Sequence, residues 1–352
     1  MTRTDAHSTL AETWRAIKSE NPAARARDVA EELGVSEGAL VDARVGAGVH
    51  RLAPSGPDFA RLMAALPDLG RVMTLTRNDA AVHETKGTAG EVAGAGAIGQ
   101  VTGPLDLRLF YRNWRAGYLL EEETRSGLRR SFQIFDDAGG AVLKIYAMDE
   151  TDMSAWARLA AEMGAGRAAP PAVFSSRAPA KARADDEIDL AALRAGWSAL
   201  EHSHDFHKLL SKTGAAREQA LRLAGPEFAR RADEGAAQTM LEEAAAAELA
   251  IMCFVGNRGC VQIFSGPVRR IVEMGPWLNV LDPDFNLHLR RDRVASTWLV
   301  TKPTKLRGPI TSLELFDADG EMVCQFFGAR APGATEREEW RALAHRAAEG
   351  RA

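Results

Sequence analysis

Phe135-Asp136-Asp137-Ala138-Gly139 and Phe316-Asp317-Ala318-Asp319-Gly320 decide the fold. Each is an aromatic strand end running into an acidic turn closed by glycine, and the two stand 181 residues apart. Working outward, Asp106-Leu107-Arg108-Leu109-Phe110 falls beside Asp284-Phe285-Asn286-Leu287-His288 at an offset of 178. Arg77-Asn78-Asp79-Ala80-Ala81-Val82 falls beside Gly256-Asn257-Arg258-Gly259-Cys260-Val261 at 179. Trp14 pairs with Trp197 at 183, and Trp156 with Trp340 at 184. A nearly constant offset through five blocks marks an internal duplication.

Each copy begins with helix-patterned sequence and continues as strands. Pro22 suits a first helical turn, and the alanine-rich stretch from Ala23 to Leu33 reads as a helix stopped by Gly34. Glu242–Leu249 reads as a second helix and Ile251–Val255 as a short apolar strand before the Gly256-Asn257 turn. Leu105–Phe110, Ser131–Phe135 and Ala141–Tyr146 read as strands, as do Asn286–Leu289, Ser296–Thr301, Ser312–Phe316 and Met322–Phe327. The two acidic turns join neighbouring strands as hairpins, where glycine supplies a positive φ. A helix around Trp156 or Trp340 closes each copy. The expected class is α+β: two similar units, each a large antiparallel sheet flanked by helices. The boundaries are 1–163 for the first repeat, 164–189 for a linker rich in Ala, Pro and charge, and 190–352 for the second repeat.

Composition narrows the function. The 352 residues carry 44 Lys plus Arg against 48 Asp plus Glu, too balanced for a nonspecific grip on nucleic acid. No run approaches the length of a membrane span, and the polar N-terminus lacks the pattern of a secretory signal. Cys253, Cys260 and Cys324 are too few and too odd in number for a disulfide framework. They read as buried small hydrophobes in a reducing cytoplasm.

The copies differ at His202-Ser203-His204-Asp205-Phe206-His207, which holds three of the eight histidines. Trp14 to Arg27 spans 13 residues and Trp197 to Arg217 spans 20, so setting these arginines opposite each other gives the second copy about seven extra residues there. His204 and His207 are one helical turn apart and can face the same way. Zinc wants three or four ligands, and the sequence offers no nearby Cys and no further His-x-x-His. Haem iron needs only one axial imidazole. On spacing alone a second reading stands beside these, a polar helix start capped by Ser203 or Asp205 with exposed histidines.

Trp197 through His207, Gly256 through Ile263 and the long run Gly275-Pro276-Trp277-Leu278-Asn279-Val280-Leu281-Asp282-Pro283-Asp284-Phe285-Asn286-Leu287-His288-Leu289 strongly resemble the bacterial cytoplasmic haem-utilisation family of HemS, HmuS, ChuS and PhuS. Lys302-Pro303-Thr304, Thr311 through Asp317 and Gln325-Phe326-Phe327-Gly328 extend the resemblance almost to the C-terminus. The resemblance implies haem b held between a second-copy helix and the first-copy sheet. It places the axial iron ligand on His204 and an alternate on His207. It places a distal guanidinium, able to hold a water or oxygen, on Arg108, with Phe110 on the same haem face. Arg217, Lys302, Gln325 and Arg330 fall on propionate and rim contacts, and Phe327 stands where some relatives have tyrosine. Charge-assisted bonds to the propionates would offset the cost of burying them.

Two functions are consistent with that resemblance. One is a cytoplasmic carrier that takes haem from an inner-membrane importer and passes it to a haem oxygenase. The other is a haem-degrading enzyme that releases iron using an external reductant, since the chain has no dinucleotide or flavin fingerprint.

Overall fold

The computed structural model describes residues 3–94, 96–124, 127–167, 170–176, 182–331 and 333–350, with side chains from residue 8 onward. They divide into two compact bodies. The first comprises Met1–Arg77, Glu84–Ala178 and Asn257–Gln262; the second comprises Asn78–His83, Pro179–Gly256 and Ile263–Ala352.

The first copy runs through helices α1 (Arg3–Glu20), α2 (Ala26–Glu32) and α3 (Glu37–Ala43), strand β1 (Val49–Arg51) and helix α4 (Ala60–Ala64). It continues with β2 (Gly70–Arg77), β3 (Ala81–Thr88), β4 (Val92–Ala93), β5 (Gly99–Val101) and β6 (Asp106–Leu109). Three long strands, β7 (Ala116–Thr124), β8 (Gly127–Phe135) and β9 (Ala141–Thr151), lead to α5 (Met153–Glu162).

The second copy repeats this order with α6 (Leu190–Ser198), α7 (Asp205–Thr213), α8 (Arg217–Ala224), β10 (Ala229–Arg231) and α9 (Ala236–Ala246). There follow β11 (Ile251–Gly256), β12 (Cys260–Gly266), β13 (Ile271–Met274), β14 (Trp277–Leu281) and β15 (Phe285–Arg290). The copy ends with β16 (Ser296–Thr304), β17 (Gly308–Phe316), β18 (Met322–Gly328) and α10 (Glu338–Glu349).

Among the described residues two nine-stranded sheets result, with orders β1-β7-β8-β9-β2-β3-β15-β14-β13 and β10-β16-β17-β18-β11-β12-β6-β5-β4. Exchanging each strand for its counterpart in the other copy turns one order into the other. The expected duplication and α+β class are therefore present as a topological symmetry. Within the second body, Asn78 Oδ1 accepts from the amides of Ala80 and Ala81 at 3.0 and 2.8 Å, while Nδ2 donates to Val323 O at 2.8 Å. Within the first, Asn257 repeats the device, accepting from Gly259 and Cys260 at 3.0 Å each and donating to Val142 O at 2.9 Å.

The hairpin turns form as the sequence predicts. Asp136 Oδ1 takes the amides of Ala138 and Gly140, Asp317 Oδ1 takes those of Asp319 and Glu321, and Gly139 and Gly320 adopt φ of 79° and 75°. Helix starts differ more. The helix expected from Ala23 begins at Ala26, because Asn21 Oδ1 accepts from Ala23 N and holds Pro22 in a turn. The helix expected over Glu242–Leu249 starts six residues earlier, at Ala236, and ends at Ala246 before Glu248 takes a φ of 49°.

The alignment of the helices also changes. Among the described residues each copy has three α-helices before its first strand, so α3 is the counterpart of α8 and α2 that of α7. Trp14 packs with Val29 and Ala30 of α2 and Leu40 of α3; Trp197 packs with Phe206 and Leu209 of α7 and Ala220 of α8. From Trp14 to the start of α3 is 23 residues and from Trp197 to the start of α8 is 20, so the expected gain of about seven residues does not exist. The histidines occupy a helix that both copies possess. Alanine-rich helices offer little to fix a register, which is why pairing Arg27 with Arg217 misled.

In the second body the long strands present two faces. Leu313, Leu315, Cys324, Phe326 and Cys253 pack against Met240, Leu241, Trp340 and Leu343 of α9 and α10. On the opposite face, Trp298 and Val300 pack with Trp197, Phe206 and Leu221 of α6, α7 and α8. Among the described residues no helix is long and apolar enough to cross a membrane.

Candidate functional site

His204 stands immediately before α7 with helical φ and ψ of −69° and −22°, and His207 lies one turn on. Both imidazoles are exposed. Asp205 pins the turn by accepting from His202 N and Lys208 Nζ, each at 3.0 Å. The Lys208 bond, followed by that amide bond, holds the Asp205 carboxyl below its ordinary range. Between the two histidines, Phe206 points the other way, 1% exposed, with its ring centroid 4.4 Å from that of Trp197. The helix therefore buries Phe206, Leu209 and Leu210 and presents His204 and His207 outward, the amphipathic arrangement its spacing implies.

The α7-facing side of the sheet carries the other second-copy residues. Antiparallel register sets Glu314 opposite Gln325, Ser312 opposite Phe327 and Gln325 opposite Phe254. Directly opposed residues share a face, so Glu314, Gln325, Phe327 and Phe254 form one surface. Phe254 and Phe327 meet edge to face at 5.1 Å and, like Gln325 and Met252, are only half buried. Gln325 Nε2 and, beyond β18, Arg330 Nη1 are buried with no hydrogen-bond partner among the described residues. Burial pushes the Arg330 pKa down, with Glu336 opposing. Arginine stays charged all the same.

Arg217 and Lys302, expected as propionate contacts, are engaged with a carboxylate of the chain. Arg217 donates from Nε to Glu314 Oε2 at 2.8 Å and from Nη2 to Oε1 at 2.9 Å. Lys302 Nζ and Ser312 Oγ donate to the same Oε1 at 2.8 and 2.9 Å. Glu314 is fully buried and Lys302 is 2% exposed. Burial alone would raise the Glu314 pKa, but Arg217 and Lys302 hold it far below the carboxylate range. The same burial pushes Lys302 down against the pull of Glu314. Both cations also lie over the Phe206 ring, at 5.2 and 5.1 Å from its centroid. The sequence contains this acid in a named motif, yet nothing local marks its role. The available signal is an acid inside the alternating strand Ser312-Leu313-Glu314-Leu315-Phe316, where burial demands a partner.

In the first body, Arg108 lies on β6 opposite Gln100. Its side chain is 40% exposed, with the guanidinium paired with Asp106 and bonded to Leu107 O at 3.2 Å. Phe110 follows, half buried, its amide bonded to Gly259 O at 2.9 Å. Of the other histidines, His83 is fully buried edge-on to Phe285 at 5.0 Å, and burial lowers its pKa to about 3. That places it in a core. His288 Nδ1 meets Asn279 Oδ1 at 2.7 Å, as a structural role requires.

A family model described as a haemin-degrading HemS.ChuX domain matches residues 34–163 and again 214–347. The hemin transport protein HmuS of Yersinia pestis is 38% identical over 337 residues, covering 95% of this chain and 96% of that protein. The crystal structure of holo-PhuS, a heme-binding protein from Pseudomonas aeruginosa, superposes with a TM-score of 0.90 at 48% identity, covering 96% of this chain and 98% of that one. The structure of the heme-degrading enzyme ChuS from Escherichia coli O157:H7 gives 0.88 at 36% identity, covering 97% and 99%.

Proposed function

Because the chain belongs to the haemin-degrading HemS.ChuX family, we propose that it binds haem and passes it on during bacterial haem uptake and iron acquisition. The observation that carries this reading is the exposed pair His204 and His207 on one side of α7, backed by a fully packed Phe206. In this reading His204 is the axial ligand and His207 the alternate, and a change between imidazoles one turn apart lowers the barrier to release. When bound, haem supplies an iron centre that takes such a nitrogen ligand and changes oxidation state.

The residues present suit a flat, apolar dicarboxylate. Phe254, Phe327 and Met252 offer a half-buried apolar surface, and Gln325 Nε2 and Arg330 Nη1 are donors without partners among the described residues. Arg330 and the remaining N–H groups of Arg217 are assigned to the propionates, and Arg108 and Phe110 to the distal role. The same reading takes 1–163 and 190–352 as the repeats joined by 164–189. It places the protein in a reducing cytoplasm, where its three cysteines stay as thiols. An inner-membrane importer is the proposed donor and a haem oxygenase the acceptor.

Degradation is the second reading, favoured by the likeness to the heme-degrading enzyme ChuS. It requires an external reductant. Haemin titration tests the common premise: a Soret shift saturating at one haem per chain, altered by His204→Ala. Absence of the shift removes both readings. Supplying oxygen, a reductant and catalase then separates them. Loss of the Soret band with a defined tetrapyrrole product marks the enzyme, and intact haem that transfers to a haem oxygenase marks the carrier. His207→Ala slows transfer if the alternate ligand operates.

A further inference from the structure

We propose that Glu314 is a positioning residue for the imidazole-bearing turn, holding Arg217 and Lys302 over Phe206 and thereby setting how His204 and His207 are presented. Its ligand readout rests on the haem reading above; its structural readout does not.

The geometry runs through contacts in one body. Glu314 on β17 accepts four hydrogen bonds, two from Arg217 at the first position of α8, one from Lys302 on β16 and one from Ser312 on its own strand. A forked guanidinium on a carboxylate fixes direction as well as distance, so Arg217 is locked against the sheet. Both cations then face the ring of Phe206, the residue flanked by Asp205 and His207 on α7. Cations over an aromatic face are attracted to its quadrupole, more strongly where water is excluded. Trp197 closes on the same ring from α6, 4.4 Å away. Phe206 thus has its place fixed by two charges that are themselves fixed by one carboxylate. Its neighbours His204 and His207 inherit that placement through a single helical turn.

Charge bookkeeping assigns the two cations different tasks. Glu314 neutralises one of the two positive charges, leaving the cluster with one. Lys302 is buried with Nζ on Glu314 and Phe206, and also lies 5.9 Å from the Phe327 centroid. It acts inside the protein rather than on a ligand carboxylate. Arg217, with 28% of its side chain exposed, keeps N–H groups for a ligand. Groups behind a metal-ligating histidine typically affect affinity by about 10- to 100-fold through ligand orientation.

Three proteins decide the matter: wild type, Glu314→Gln and Glu314→Gln/Lys302→Met. The double variant removes the ammonium left without a counterion, which guards against simple misfolding. Each is measured without ligand, by amide hydrogen exchange over α7 with α10 as internal reference, and with haemin, by titration and the electron paramagnetic resonance of the ferric complex. The expected result is faster exchange in α7 alone, about 10- to 100-fold weaker haemin binding, and a changed ferric signature in both variants, even where the double variant melts like wild type. Unchanged α7 exchange and signature in a folded variant overturn the proposal. If wild type takes up no haemin, the haem reading falls, and the exchange comparison alone decides whether Glu314 positions α7.

Discussion

Glu37 and Arg217 open equivalent helices with opposite charge. Glu37 is the first residue of α3 and meets Lys144 Nζ at 2.6 Å and the guanidinium of Arg77; Arg217 is the first residue of α8 and forks onto Glu314. In both copies a helix start is tied to the neighbouring sheet by a buried ion pair, yet the acid sits on the helix in one and on the strand in the other. Burial of a lone charge costs several kcal/mol, so helix and strand partners must reverse together. The reversal leaves the second copy with cations beside Phe206, next to its histidines.

Glu37 makes the first body's stability depend on acid. Burial would raise its pKa, but Lys144 and Arg77 outweigh this and bring it from 4.5 to about 2. A carboxylate whose folded pKa is depressed stabilises above its unfolded value, and the contribution is lost as pH falls towards the folded one. Urea unfolding should therefore be insensitive to this group above pH 5 and lose about 3 kcal/mol between pH 5 and pH 2. Glu37→Gln should lose about 3–5 kcal/mol at pH 7 by stranding Lys144 and Arg77, and its remaining acid dependence should be shallower. Equal slopes for variant and wild type would show that Glu37 is not the titrating group.

Asn257 should tolerate neither truncation nor ionisation. Its amide donates to Arg77 O and Val142 O while its oxygen accepts two backbone amides. Alanine leaves those groups without partners and should cost about 2–3 kcal/mol in urea unfolding. Aspartate keeps the acceptor but turns an anion towards two carbonyls, so Asn257→Asp should be less stable than Asn257→Ala at pH 7. The reverse order would mean that the acceptor bonds dominate.

How much of this was legible follows from the range of each interaction. Turns read well because Asp136 and Asp317 bind amides only two and four residues away. Strands such as Ile251–Gly256 read well because alternation is local. Helix ends did not, since α1 and α2 are alanine-rich or polar and their limits depend on a side-chain turn at Asn21. The histidine pair was visible as composition, while its mistaken place in an insertion came from a helix register that packing decides. Glu314 was the least legible residue. Its main partner, Arg217, is 97 residues away, and pairing across that distance has no periodicity to betray it.

The thiols should be silent in the native protein. Cys253, Cys260 and Cys324 are fully buried. Burial pushes Cys260 up to about 12, with Thr76 and Arg108 opposing, and it raises Cys253 and Cys324 as well. The thiolate is the reactive form, so Ellman's reagent at pH 8 should find no native thiol and three after urea unfolding. Rapid reaction of one equivalent before unfolding would place that cysteine at a surface.

Gly328 and Gly308 should fail for different reasons when replaced by alanine. A Cβ on Gly328 would lie 2.5 Å from Trp340 Cγ and 2.7 Å from its Cβ. Trp340 is fully buried and its indole N–H is held by Thr311 O at 3.0 Å, so the ring cannot retreat cheaply. Overpacking of this kind costs about 1–3 kcal/mol. Gly308 has nothing within 4 Å of the added carbon but holds a φ of 72°, so its penalty is conformational, about 1 kcal/mol. Urea midpoints should fall further for Gly328→Ala, with a change in near-ultraviolet dichroism from Trp340 that Gly308→Ala lacks. A Gly328→Ala protein with native dichroism and an unchanged midpoint would mean that α10 packs less tightly on β18 than these distances require.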